Sequence, residues 1–126
     1  MLGRHSVQDF RTFKVWEKSH ALVQEVYRLT GRFPDSERFG LIIQMRRSAA
    51  AVPTHIAEGC GSLDGQDYAR FLQSALRSAC ELEYQLLLSR DLTYTPADLY
   101  AELEPKIVEV KKMLTAYIQR IRAGNS

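Results

Sequence analysis

The stretch from Gln44 to Leu86 constrains the fold more than any other part of the chain. It reads Q-M-R-R-S-A-A-A-V-P-T-H-I-A-E-G-C-G, then S-L-D-G-Q-D-Y-A-R-F-L-Q-S-A-L-R-S-A-C-E-L-E-Y-Q-L. Ahead of the glycines, Leu41, Met45, Ala49, Val52 and Ile56 recur at helical spacing. Behind them, Tyr68, Phe71, Leu72, Ala75, Ala79, Leu82 and Leu86 form a longer stripe of the same period. Gly59, Gly61 and Gly65 punctuate the turn between the two, and Asp64 is a suitable N-cap for the second helix. Two amphipathic helices joined by so short a turn must lie antiparallel and bury their stripes against further helices. Pro53 removes one backbone hydrogen bond and predicts a kink in the first of them.

The flanking segments supply two more helices. From Phe13 to Thr30, Val15, Ser19, Leu22, Val26 and Leu29 make one row, and Trp16, His20, Val23 and Tyr27 the adjacent one. Gly31 and Pro34 mark its end. The second helix is expected to run from near Ser36 to Gly59. Thr95-Pro96-Ala97-Asp98 reads as a start, with a cap, a proline at the first helical position and an acid in the first turn. Leu99, Leu103, Ile107, Val110, Leu114, Tyr117 and Ile121 then follow at steps of three and four, with Pro105 predicted to bend the helix early. No segment alternates like a strand. The prediction is an all-α fold, one domain over residues 1–126, arranged as an up-down-up-down four-helix bundle.

Composition narrows the class. A chain of 126 residues, 45% hydrophobic and 25% charged, buries a real core as one globular domain. Its apolar runs are too short for a membrane span, and M-L-G-R-H-S-V-Q-D-F lacks the apolar core of a signal peptide. Cys60 and Cys80 are too few for a disulfide framework or a zinc site and read as reduced thiols filling the core. A cytoplasmic protein is expected. The net charge of +2 is uneven. Residues 1–18 carry Arg4, Arg11, Lys14 and Lys18 against Asp9 and Glu17, a net +2, and residues 106–126 carry five cations against Glu109, a net +4. The middle of the chain is therefore −4.

The residues of this pattern resemble a known family. V-W-E-K-S, V-Y-R-L-T-G-R-F-P, G-L-I-I-Q-M-R-R-S-A-A-A-V-P-T-H-I-A-E-G, F-L-Q-S-A-L-R-S-A-C-E-L-E-Y-Q-L-L-L and K-M-L follow one another along nearly the whole chain. Together they resemble the four-helix-bundle proteins encoded in intervening sequences of bacterial 23S ribosomal RNA genes. The resemblance implies a homo-oligomer, a pentamer shaped like a barrel. It also implies similarity to the accessory protein of diversity-generating retroelements, which binds RNA and a reverse transcriptase. His55 departs from the family's frequent asparagine, and Ser62 from a common arginine, which puts in doubt any phosphate contact made there.

Several side chains invite a functional reading. A di-iron bundle needs two Glu-x-x-His pairs, and Glu17-x-x-His20 is one match, while His55-x-x-Glu58 has the reverse order. No metal or cofactor is expected, and His20 reads as packing beside Trp16. Arg47, Thr54 and Glu58 fall on nearly one line of the second helix. Glu83 falls on the line of Leu72, Leu76, Ala79 and Leu86, and a carboxylate placed there needs a cation, with Arg46 or Arg47 as the obvious partner. That group reads either as a phosphate or acid–base site or as a buried ion pair fixing helix register. Ser48, Ala49, Ala50, Ala51 and Ala57 offer small surfaces for an oligomer seam or for tight packing within the bundle. Because both chain ends of such a bundle lie at one pole, Arg4, Arg11, Lys14 and Lys18 should come near Arg120 and Arg122, with Lys111 and Lys112 further along the fourth helix. Such a cluster can hold a phosphate backbone without reading sequence, or can serve as a solvated surface. No G-x-x-x-x-G-K-[ST] loop, zinc spacing or nucleophile with a base beside it is present, so the chain is not expected to be an enzyme. The function expected is nucleic-acid binding, RNA or DNA, by a self-associating bundle. The alternative is a module that docks a partner enzyme such as a reverse transcriptase.

Overall fold

The computed structural model describes residues 8–124. A short 3-10 turn, Phe10–Thr12, precedes α1, Lys14–Thr30; a second, Asp35–Glu37, precedes α2, Leu41–Cys60; α3, Gly65–Asp91, and α4, Ala97–Gly124, complete the chain. No strand occurs among the described residues.

Cross-helix contacts fix the topology. Lys18 pairs with Glu109 and Glu25 with Lys106, so α1 and α4 run in opposite directions. Glu83 meets Lys111 and Gln73 meets Arg122, so α3 and α4 do the same. Each helix packs on its neighbours in sequence, and α4 closes the square against α1. The α2–α3 contact is the most extensive and the α1–α4 contact the thinnest, while the diagonal pairs stay apart. This is the up-down-up-down bundle expected from the four apolar stripes.

The core is built from the predicted rows. Val15, Met45, Ile56, Leu72, Leu82, Leu86, Ile107 and Leu114 are each at most 1% exposed. In α1 the Val15 row is buried, while Trp16 and Val23 are only half-buried and His20 and Tyr27 are exposed. At the end of α4 Ile118 turns inward, between half-buried Tyr117 and Ile121. Cys60 fills the core as expected, and burial pushes its thiol pKa up. Cys80 does not: it is exposed.

The boundaries follow from local chemistry. Asp64 caps α3, its Oδ1 accepting from the Gln66 N–H at 2.7 Å. The start of α2 is later than Ser36 because Glu37 folds back as its cap. Glu37 Oε1 accepts from the Leu41 N–H at 3.1 Å, and its Oε2 accepts from the Tyr94 hydroxyl at 3.0 Å. A Cβ on Gly40 would meet that carboxylate oxygen at 2.8 Å, so any larger residue here has to push the end of the Glu37 side chain out of its capping position. At the start of α4 the Tyr100 N–H bonds to the Pro96 carbonyl, placing the proline just outside the helix. The Thr95 hydroxyl meets that of Ser89 at 2.7 Å, and both residues are buried. Two residues past the end of α3, Thr93 has a φ of 66°, which puts a β-branched residue in the left-handed region. Both prolines inside helices, Pro53 and Pro105, are accommodated without ending them.

Candidate nucleic-acid interface

The pole at which the chain ends converge is held by aromatic rings. Phe13, at the entrance to α1, stacks on Tyr117 of α4 with centroids 6.0 Å apart and lies 6.4 Å from Tyr68 of α3. The Gln8 N–H bonds to the Cys60 carbonyl at 3.0 Å, tying the start of the described chain to the end of α2. Burial pushes the Tyr68 hydroxyl pKa well up, with Cys60 and Tyr117 adding to the effect.

Of the cations singled out from the sequence, Arg4 lies outside the described residues, Arg11 and Lys14 stand at the entrance to α1, Arg120 and Arg122 near the end of α4, Lys18 a turn further along α1, and Lys111 and Lys112 in the middle of α4. Three of them have carboxylate partners. Arg11 Nε lies 2.9 Å from Asp9 Oδ1, and this hydrogen bond holds the Asp9 carboxyl below its usual range. Lys18 Nζ lies 3.2 Å from Glu109, and Lys111 Nζ lies 2.5 Å from Glu83. The other four carry their charge with no carboxylate opposite among the described residues. Lys14 and Lys112 are exposed, Arg120 lies over the Tyr117 ring at 5.1 Å, and Arg122 donates to Gln73 Oε1 at 2.5 Å. Arg122 also lines a cleft of about 410 Å³ together with Gln66, Ala69 and Arg70 at the start of α3. Arg70 is ion-paired with Asp67. Neither Gln66 nor Arg70 stands out in the sequence, although their place in the first turns of α3, beside the end of α4, follows from the bundle topology.

The second group does not assemble as expected. Glu83 pairs with Lys111 rather than with Arg46 or Arg47, and the two side chains are 31% and 28% exposed. This is a half-exposed ion pair across α3 and α4, not a buried one. Arg46 instead closes the end of α1. Its Nε donates to Thr30 Oγ1 at 2.9 Å, its second terminal nitrogen to the Tyr27 carbonyl at 3.2 Å, and its guanidinium lies 4.5 Å from the Tyr27 ring centroid. It adds a further donor to a carbonyl that already accepts from the Gly31 N–H at 3.1 Å in the last turn of α1. Arg47 and Glu58 are exposed on the outer face of α2, opposite Met45 and Ile56, and Glu58 pairs with His55 at 2.7 Å. His20 stacks on Trp16 with centroids 4.8 Å apart, and among the described residues no three His, Cys, Asp or Glu converge as metal ligands. No helix among them is long and apolar enough to cross a membrane.

One further surface stands out. Trp16, Val23, Ala50, Pro53 and Ala57 line an open groove of about 290 Å³ between α1 and α2, with His20 and Thr54 at its edge. The small residues of α2 thus face outward at Ala50 and Ala57, while Ser48 and Ala49 are buried inside the bundle.

These features define a small antiparallel four-helix-bundle protein with an apolar outer groove between α1 and α2. The chain belongs to the 23S rRNA-intervening sequence protein family, whose family model matches residues 11–116. Its fold is similar to that of a protein of unknown function from the S23 ribosomal protein family of Bacteroides thetaiotaomicron. The two share a TM-score of 0.77 and 24% sequence identity, over 83% of this chain and 95% of the other. No curated protein matches the chain in sequence.

Proposed function

We propose that this is a non-enzymatic, self-associating cytoplasmic protein that binds nucleic acid, RNA foremost, through phosphate contacts at its terminal pole. What supports the reading is that Lys14 at the start of α1, Arg120 and Arg122 near the end of α4, and Lys112 further along α4 have no carboxylate opposite them among the described residues. Cations in this state can replace the counterions of a phosphate backbone, whereas ion-paired ones must first break a bond. Self-association uses the groove lined by Trp16, Val23, Ala50, Pro53 and Ala57, and a closed ring of five copies would repeat the basic pole around one rim.

The test is a salt titration. Exchange of Lys14, Lys112, Arg120 and Arg122 for glutamine should leave the helical fold intact. It should weaken binding for all nucleic-acid sequences alike, and the dependence of log affinity on log salt should flatten by about 0.7 to 0.9 for each phosphate no longer neutralised. Unchanged affinity moves the phosphate site elsewhere. The same apolar groove favours a second reading, a module that docks a partner enzyme such as a reverse transcriptase. A parent protein that captures such a partner and ignores nucleic acid at low salt would establish that reading instead.

A further inference from the structure

We propose that the opposite pole of the bundle, where α1 hands over to α2, is a stacking platform for single-stranded nucleic acid. Phe39 and Tyr27 would take bases, and Arg28, Arg32 and Arg38 the phosphates. The proposal rests on the nucleic-acid reading above but places a different contact, with different selectivity, away from the chain ends.

The first observation is Phe39. It is 85% exposed, the most exposed large hydrophobic residue among those described. A phenylalanine left in water on a turn has no role in holding the bundle together. Nor is the turn that carries it loose. Phe33 is buried with its ring 5.4 Å from that of Tyr94, and Glu37 is bound both to the Leu41 N–H and to the Tyr94 hydroxyl. The ring is therefore presented outward from an anchored base, so little ordering cost remains when a base stacks on it.

The second observation is the chemistry around it. Residues 27–47 contain five arginines and no lysine, against Asp35 and Glu37, for a net +3. Glu37 is directed inward by its two hydrogen bonds. Arg28, Arg32 and Arg38 are exposed and have no carboxylate within ion-pairing distance among the described residues. Arg46 braces the 46% exposed Tyr27 through its ring and its carbonyl. Guanidinium groups bind phosphate in bidentate fashion and also stack on bases, which an ammonium does not do.

The third observation is a place for the strand to lie. Arg28 and Arg32 stand at the mouth of a cleft of about 490 Å³ between α1 and α4, floored by Leu29, Leu99 and Leu103. Its two acids, Glu25 and Glu102, lie 2.8 and 3.9 Å from Lys106, neither is ion-paired with an arginine, and the five charges together leave a net +1 there. Apolar floor, cationic mouth and exposed rings together suit unpaired bases; a duplex hides the faces on which stacking depends.

The experiment is fluorescence anisotropy on the full chain with a labelled oligouridine of about 15 nucleotides and an RNA duplex of similar length, at about 50 and about 200 mM salt. The parent should prefer the single strand. Phe39→Ala should lower single-strand affinity about tenfold and leave duplex affinity alone, and Phe39→Tyr should restore it. Exchange of Arg28, Arg32 and Arg38 for glutamine should weaken the single strand further and flatten its salt dependence. Exchange of the terminal-pole cations should leave the single-strand preference standing. Equal single-strand binding by the parent and Phe39→Ala, or equal affinity of the parent for strand and duplex, overturns the stacking platform while leaving nucleic-acid binding intact. Absence of any binding by the parent at low salt overturns both readings.

Discussion

Glu83 and Lys111 meet at 2.5 Å across the α3–α4 groove, each with about a third of its side chain in solvent. The hydrogen bond from Lys111 to Glu83 raises the Lys111 pKa above its ordinary 10.5, against a smaller opposing effect of burial. A pair this exposed contributes little, so Glu83→Ala should lower unfolding free energy by about 1 kcal/mol or less in denaturant titration. A loss of about 3 kcal/mol or more would mean that the carboxylate is truly buried. Because the folded-state pKa lies above the unfolded one, the contribution is complete below 10.5 and fades as pH rises through the folded value. Glu83→Gln should remove that alkaline sensitivity. The spacing of Glu83 with Leu72, Ala79 and Leu86 puts it on the core line of α3, whereas the residue lies at the flank of that stripe, about a third exposed. Its partner is not legible in the same way, because Lys111 is 28 residues away and which neighbouring helix faces Glu83 depends on the rotation of α3. Neither expected arginine is available, since Arg46 closes the end of α1 and Arg47 is exposed on the outer face of α2.

Between α2 and α3, Gly59 faces Tyr68 at close range. A Cβ at position 59 would stand 2.9 Å from Tyr68 Cδ1 and 3.2 Å from Phe71 Cβ. The Tyr68 ring is buried and backed by Phe13, so it cannot simply swing away. Gly59→Ala gains up to about 1 kcal/mol in helix propensity, but overpacking at such a contact typically costs about 1 to 3 kcal/mol. Net destabilisation in a thermal melt is expected; a stabilised variant would show that the two helices can part without loss. The apolar stripes make these helices legible, since a period of 3.6 survives whatever the neighbours are. Boundaries are less so. The cap that starts α2 at Leu41 needs Tyr94, 57 residues beyond Glu37, and just past the end of α3 stands a threonine where a glycine would have announced the stop. Trp16 and His20 look like a second core row, yet they flank the α1–α2 groove, because a stripe that wide exceeds what one bundle interior can cover.

For the molecule as a whole, the open groove between α1 and α2 makes self-association directly measurable. Native mass spectrometry should report a species several times the 14.4 kDa chain. Ala50→Glu, which sets a charge in the groove, should return it to a single chain with its helical content unchanged. A clean monomer in the parent would remove the ring and the repeated rim of charge. A ring also requires head-to-tail contacts, so the groove must seat a different face of the next copy rather than its own image.

The ring stack of Phe13 on Tyr117 and the bond from Gln8 to Cys60 bring the beginning and the end of the described chain to one pole. The bundle thus has a natural handle and a natural working face. A tether attached close to either end of the described residues starts from the same pole, so molecules held to a surface there by either end stand in the same orientation. Phe39 and its arginines then point into solution, while the terminal cations are turned toward the support. Immobilising the protein by one terminus would therefore isolate one candidate surface from the other without changing a single residue.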